Sequence, residues 1–138
     1  MLKIQISSFS FIYGEIPSDN SGNGGGFVFD CRALPNPGRY DEYKSLTGKD
    51  AAVIEYLQKE EEVNEFLQYV YSLADLSVKK YIKRGFTHLM FSFGCTGGQH
   101  RSVYAAEQLT KYITEHYSNV EVEMHHIARE EADKNKKQ

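Results

Sequence analysis

Apolar side chains recur every three or four positions through the middle of the chain, at Val63, Phe66, Leu67, Val70, Leu73, Ala74, Val78, Tyr81 and Ile82. That spacing lines one stripe of a long helix that starts near Glu61. Lys83 and Arg84 followed by Gly85 predict where it stops, because cations suit the carboxyl end of a helix and glycine takes the left-handed turn beyond it. A second run of the same period, Ser102, Ala105, Ala106, Leu109, Tyr112, Ile113 and His116, predicts another helix. Asp50 heads a shorter one reaching about Gln58, its carboxylate placed to accept from first-turn amides.

Other stretches lack the helical period. Leu2 to Ile12 alternates in part, Phe27 to Asp30 is a short apolar run, His88 to Phe93 is dense enough for a buried central strand ended by Gly94, and Val120 to His126 alternates again. All four are predicted strands. Ser18 to Gly26 consists of turn formers with nothing to bury and predicts a mobile tether or lid. Pro35 and Pro37 lack the amide donor of a sheet ladder, so Cys31 to Lys49 is expected to be mostly ordered loop. The carboxyl-terminal third thus reads strand, loop, helix, strand, a right-handed crossover joining parallel strands. The predicted class is α/β: one domain over residues 1–128 with a small, mostly parallel or mixed sheet and packed helices, then a frayed charged tail over residues 129–138.

Composition narrows the function. A chain of 138 residues with 41% hydrophobic content has enough material for one core without disulfide or metal staples. Sixteen Lys and Arg against nineteen Asp and Glu leave a net charge of −3, which removes the broad basic character of a general nucleic-acid or anionic-membrane binder. Cys31 and Cys95 are too few for a secreted disulfide scaffold and form no Cys-x2-Cys pair. With neither a signal-like start nor an apolar stretch near the roughly 18 residues of a membrane span, a cytoplasmic setting is expected.

The candidate chemistry lies between the central strand and its helix, in Gly94-Cys-Thr-Gly-Gly-Gln-His-Arg-Ser102. Ligands of open α/β sheets bind outside the carboxyl ends of strands, and a glycine-rich loop before a helix N-terminus offers unpaired amides to an oxyanion. Arg101 adds a planar fork suited to phosphate. The simpler alternative is a tight turn into the helix. A Walker loop is excluded, since it needs Gly at Gln99 and Lys at His100. Cys95 and Arg101-Ser102 also match the Cys-x5-Arg-Ser/Thr loop of tyrosine-phosphatase-like enzymes, in which a thiolate attacks phosphorus, although no acid for the leaving group is recognisable. A half-buried residue at a strand end is the competing reading of Cys95. If the second strand lies beside the central one, Asp30 and Arg32 border the same loop; each can equally serve as a cap or a surface ion pair. His125 and His126 point to opposite faces of a strand and cannot share one metal ion, so no metal is expected, and one of them faces the site.

Ser8-Phe-Ser-Phe-Ile-Tyr-Gly14, Phe27-Val-Phe-Asp-Cys-Arg-Ala-Leu-Pro-Asn-Pro37, Leu46-Thr-Gly-Lys-Asp50, Gly94-Cys-Thr-Gly-Gly-Gln-His-Arg-Ser-Val103 and Val122 to His125 together resemble the C-terminal domain of the RapZ family of RNase adapters. The resemblance implies a fold like a phosphofructokinase subdomain, binding of glucosamine-6-phosphate, and contacts with a small RNA and the ribonuclease that processes it. It also implies that nucleotide binding belongs to a Walker-type N-terminal domain of the full-length proteins, which a stand-alone C-terminal domain lacks. The chain departs from the family at Ile12, Tyr13 and Gly38, where polar or larger residues are usual.

The resulting expectation is a non-catalytic domain that senses a phosphorylated metabolite, with an amino-sugar phosphate favoured and no cofactor. The ligand-binding residues are Cys95, Thr96, Gly97, Gly98, Gln99, His100, Arg101 and Ser102, with Asp30, Arg32, Asn36 and His125 toward the rest of the ligand. An RNA or RNase adapter module and a cysteine phosphatase are the alternatives. RNA binding is expected to be weak, a protein partner is left open, and no membrane partner is expected.

Overall fold

The computed structural model describes residues 1–23 and 25–136. Its four apolar or alternating segments form strands β1 (Leu2–Ser10), β2 (Gly26–Asp30), β3 (His88–Cys95) and β4 (Val120–His126). They make one sheet in the order β2-β3-β1-β4, and every neighbouring pair is parallel. The parallel arrangement follows from helical crossovers. Helix α1 (Ala51–Gln58) and helix α2 (Glu61–Arg84) connect β2 to β3, and helix α3 (Arg101–His116) connects β3 to β4.

Strand alternation divides the sheet into two unlike faces. Ile4 and Ile6 of β1, Leu89, Phe91 and Phe93 of β3, and Phe27 and Phe29 of β2 pack with Val63, Leu67, Val70 and Ala74 of α2 and with Ala105, Leu109 and Ile113 of α3 in one apolar core. At roughly 1.5–3 kcal/mol for each fully buried large aliphatic or aromatic side chain, this layer dominates the folding free energy. Lys3, Gln5, Glu121, Glu123 and His125 occupy the other face, where Glu123 bridges Lys3 at 2.9 Å and His125 at 2.8 Å. Gly85 ends α2 at φ 72°, the left-handed stop predicted for it.

The structure departs from the sequence expectations at four places. Strand β1 stops at Ser10, not Ile12, because Ser10 Oγ accepts from the amides of Ile12 and Tyr13 and turns the chain. Strand β3 runs through Gly94 to Cys95; a Cβ on Gly94 would lie 2.4 Å from the Phe11 ring and 2.5 Å from Phe9, so glycine serves packing there and not strand termination. Asp50 precedes α1 as expected, but its carboxylate accepts backwards, from the Thr47 amide at 2.7 Å, and makes no first-turn cap. The predicted frayed tail is replaced by helix α4 (Ile127–Lys136), which packs on β1 and β4; residues 137–138 lie outside the described residues. Its apolar side chains Ile127, Ala128 and Ala132 are too few to stand out from the surrounding charge.

Candidate anion-binding site

The pairing of β2 with β3 places Asp30 opposite Gly94, and the Cys31 amide donates to the Gly94 carbonyl at 2.7 Å. Asp30, Cys31 and Arg32 therefore leave the sheet beside the 94–102 loop. Two short 3-10 turns, Pro37–Arg39 and Asp41–Tyr43, carry the following segment around the rim. Asn36 starts the first of them, its Oδ1 accepting from the Gly38 amide at 2.9 Å.

Arg101 opens α3 and is only 5% exposed. Its Nη1 donates to the carbonyls of Arg32 at 2.8 Å and Leu34 at 3.1 Å, its Nη2 points at Thr96 Oγ1 at 3.4 Å, and its Nε is buried without a hydrogen-bond partner. Among the described residues no carboxylate lies within ion-pair distance of this guanidinium. A buried cation held only by neutral groups carries an uncompensated desolvation cost, and an anion bound beside it would offset that cost. Arg101 lines a cleft of about 480 Å³ with Arg32, Asn36, Arg39, Glu62 and Thr96.

Asp30 and Arg32 face each other in a two-pronged ion pair, with Nε to Oδ1 at 2.9 Å and Nη2 to Oδ2 at 2.7 Å, and the Arg32 guanidinium lies 4.0 Å from the centroid of the Phe11 ring. The Arg32 hydrogen bond holds the Asp30 carboxyl below its ordinary range, and the more distant charge of Arg101 adds to the effect. Both side chains are about half exposed, so the pair remains accessible to a ligand.

The loop itself is pinned on three sides. Gly98 has φ 72°, and a Cβ there would fall 2.6 Å from Ala128 Cβ of α4 and 3.0 Å from the Ser10 amide nitrogen. Ser10 Oγ donates to the Thr96 carbonyl at 2.6 Å. The Gly48 amide donates to the Gln99 carbonyl at 2.8 Å, and a Cβ on Gly48 would lie 2.4 Å from the His100 carbonyl oxygen. His100 donates from Nε2 to the Tyr43 carbonyl at 2.8 Å, tying the helix start to the second 3-10 turn, and a Cβ on Gly38 would lie 3.0 Å from its Nδ1. Gly97 is exposed, and a Cβ there would meet nothing within 4 Å, so the loop's backbone is open to solvent at that point.

These contacts distribute the sequence-predicted residues unevenly. Arg32, Asn36, Thr96 and Arg101 share the arginine cleft. Gly97 and Gln99 line a neighbouring cleft of about 460 Å³, walled by Phe9, Tyr13 and α4. Cys95 and Ser102 sit in the interior, Sγ to Oγ at 3.1 Å, and Gly98 and His100 act as scaffold. Burial pushes the thiol of the neighbouring Cys31 well above its ordinary range.

His125 stands apart from the arginine cleft: the even-numbered residues of β4 face α3 and the core, and His125 lies on the opposite face of the strand, between Glu123 at 2.8 Å and Glu130 of α4 at 3.2 Å. His126 takes the inner position, with Ser8 Oγ on Nδ1 at 2.6 Å and Glu107 on Nε2 at 2.9 Å, and it lines a third cleft with Lys49, Gln99 and Arg129. Sequence reasoning also missed Gly48, Arg39, Glu62 and α4. Gly48 stands inside the 46–50 motif, whereas Arg39 closes the first 3-10 turn just beyond the 27–37 motif and Glu62 belongs to an acidic helix start, neither of which carries a distinguishing pattern.

The fold is a parallel α/β domain with a glycine-rich loop at the carboxyl edge of its sheet and, beside that loop, an arginine buried with no carboxylate in ion-pair distance among the described residues. The family model of the RapZ C-terminal domain matches residues 2–129, and the chain belongs to that family. A relative from Pasteurella multocida, named a nucleotide-binding protein, is 39% identical over 93% of this chain and 42% of its own length. One of the same name from Fervidobacterium nodosum is 42% identical over 77% of this chain and 36% of its own length. Another, from Bacillus licheniformis, is 40% identical over 83% of this chain and 37% of its own length. The chain thus spans about two-fifths of the curated relatives it matches.

Proposed function

We propose that this domain binds a phosphorylated small metabolite without transforming it, an amino-sugar phosphate such as glucosamine-6-phosphate being the favoured ligand, and that occupancy serves as a regulatory signal. The observation that carries the reading is Arg101, buried to 5% exposure with Nε unpartnered. A phosphate beside it accepts from the guanidinium and, across the cleft, from Arg39 and the Thr96 hydroxyl. Glu62 on the same cleft and Asp30 at its edge supply acceptors for a sugar ammonium. A non-catalytic role is favoured because Cys95, the candidate nucleophile, is 2% exposed and turned toward Ser102.

The relatives' shared name describes proteins more than twice as long, so nucleotides belong in the test as competitors. Calorimetric titration with glucosamine-6-phosphate, glucose-6-phosphate, inorganic phosphate, ATP and a structured RNA hairpin discriminates the readings. The expected order places glucosamine-6-phosphate first, glucose-6-phosphate behind it for want of the ammonium, and the hairpin weak and steeply salt-dependent. ATP or the hairpin binding most tightly at physiological salt would replace the sugar-phosphate reading by a nucleotide or RNA one.

A further inference from the structure

We infer that the cleft between the 46–50 segment and α4 binds a free α-amino acid with a large apolar side chain, its carboxylate on Lys49 and Arg129 and its ammonium on Asp50 and Asp133. This is the third cleft, the one that His126 lines, and its volume of about 650 Å³ falls within the roughly 300–1,000 Å³ usual for small-molecule sites. It shares no lining residue with the arginine cleft, so it is a separate site.

Two cations face this cleft without a hydrogen-bonded carboxylate. Lys49 Nζ stands 3.9 Å from Glu107, whose Oε1 already accepts from His126 Nε2 at 2.9 Å, and Arg129 Nε stands 3.8 Å from Asp133. Among the described residues neither cation has a closer carboxylate. A ligand carboxylate between them would replace these loose contacts by charge-assisted hydrogen bonds of about 2.7–2.9 Å.

A simple anion does not suit the whole cleft. Asp50, Glu130 and Asp133 also line it, three carboxylates against two cations, so an anion meets net repulsion and a simple cation meets Lys49 and Arg129. Asp50 accepts from Thr47 through Oδ2 alone, and Gln99 Oε1 is a buried acceptor on the same cleft with no hydrogen bond among the described residues. These oxygens call for a charged donor. A small zwitterion answers both demands, because it carries a carboxylate and an ammonium on one carbon. Leu46, Val103 and Met124 supply the apolar part of the lining, and an aliphatic side chain laid on them is removed from water.

A two-dimensional NMR titration of the full chain with L-leucine tests this, read at the Met124 methyl and at the amides of the 46–50 segment. Circular dichroism controls for folding. Saturable shifts at both places are expected. Glycine, isocaproate and isoamylamine lack in turn the side chain, the ammonium and the carboxylate, and each should bind at least roughly tenfold more weakly than L-leucine. K49A and R129A, each still folded, should weaken L-leucine by roughly threefold to tenfold. Shifts that do not saturate at these positions, the three analogues binding as well as L-leucine, or a leucine affinity that both variants leave in place would overturn the assignment.

Discussion

The guanidinium of Arg101 is held by the main-chain carbonyl of Arg32, Nη1 to oxygen at 2.8 Å, while the Arg32 side chain turns away to Asp30. One arginine is thus fixed by the backbone and left electrostatically open, and the other is neutralised beside it. This division links the loop after β2 to the start of α3 and orients the buried cation of the cleft before any ligand arrives.

Replacing Arg101 therefore acts on binding and folding together. A hydrogen bond to a charged group contributes roughly 1.5–3 kcal/mol, and about 1.4 kcal/mol corresponds to a factor of ten, so Arg101→Ala should weaken glucosamine-6-phosphate binding roughly 10- to 100-fold. The freed Arg32 and Leu34 carbonyls should also lower the melting temperature. Arg101→Lys keeps the charge but loses the fork and should fall between the two. Calorimetric titration at matched folded fraction measures the binding part, and unchanged affinity in Arg101→Ala would remove Arg101 from the site.

The thiol of Cys95 separates binding from chemistry. It lies in the interior with Ser102 Oγ at 3.1 Å, and replacing it by a hydroxyl alters little of the cleft. Cys95→Ser should bind the sugar phosphate within about twofold of the wild type, a change of under 0.5 kcal/mol. The wild type should release no phosphate from p-nitrophenyl phosphate or glucosamine-6-phosphate above a buffer control. Steady turnover that Cys95→Ser abolishes, in a protein still folded and still binding, would make the domain an enzyme.

What could be read from the sequence depended on whether one segment carried its own signal. The α2 stripe and its Gly85 stop are local patterns, and the structure follows them from Glu61 to Arg84. The apolar density of β3 likewise marked a strand inside the sheet, and the glycine-rich run after it marked the candidate loop. Gly48, by contrast, acquires its meaning only when the 46–50 segment meets the start of α3, a contact that no periodicity announces. The choice between His125 and His126 required the face of β4, which one residue of register reverses. Helix α4 escaped because its apolar positions, Ile127, Ala128 and Ala132, are too few to show a helical period, although its Ala, Arg, Glu and Lys residues favour helix and the helix docks on β1 and β4.

Gly48 and Gly97 make a controlled pair. A methyl at Gly48 would meet backbone, the His100 carbonyl oxygen at 2.4 Å and the Tyr104 nitrogen at 2.5 Å, and neither can move without shifting α3. Overpacking of this kind costs about 1–3 kcal/mol, so Gly48→Ala should lower the denaturant midpoint by a corresponding amount. A methyl at Gly97 meets nothing within 4 Å, and Gly97→Ala should stay within about 0.5 kcal/mol of the wild type. Equal midpoints for the two variants in urea titration would show that the 46–50 segment does not press on the loop.

The charged face of β4 should give a pH signature with a defined window. Hydrogen bonds that His125 donates to Glu123 first, and to Glu130 next, raise its pKa above the ordinary 6.5, so the stabilisation from this group is complete below that value and is lost as pH rises through the raised pKa. Glu123 is held down to about 2, by His125 first and Lys3 next, so its share is present above the ordinary 4.5 and is lost as pH falls toward 2. Between about pH 4.5 and 6.5 both contributions are in place, with Lys3, Glu123 and His125 all charged. Proton NMR of the His125 ring should therefore show a midpoint above 6.5 in the wild type, and Glu123→Gln should move it down, leaving only the smaller lift from Glu130. A His125 midpoint that Glu123→Gln leaves in place would mean that the 2.8 Å contact between them does not persist in solution.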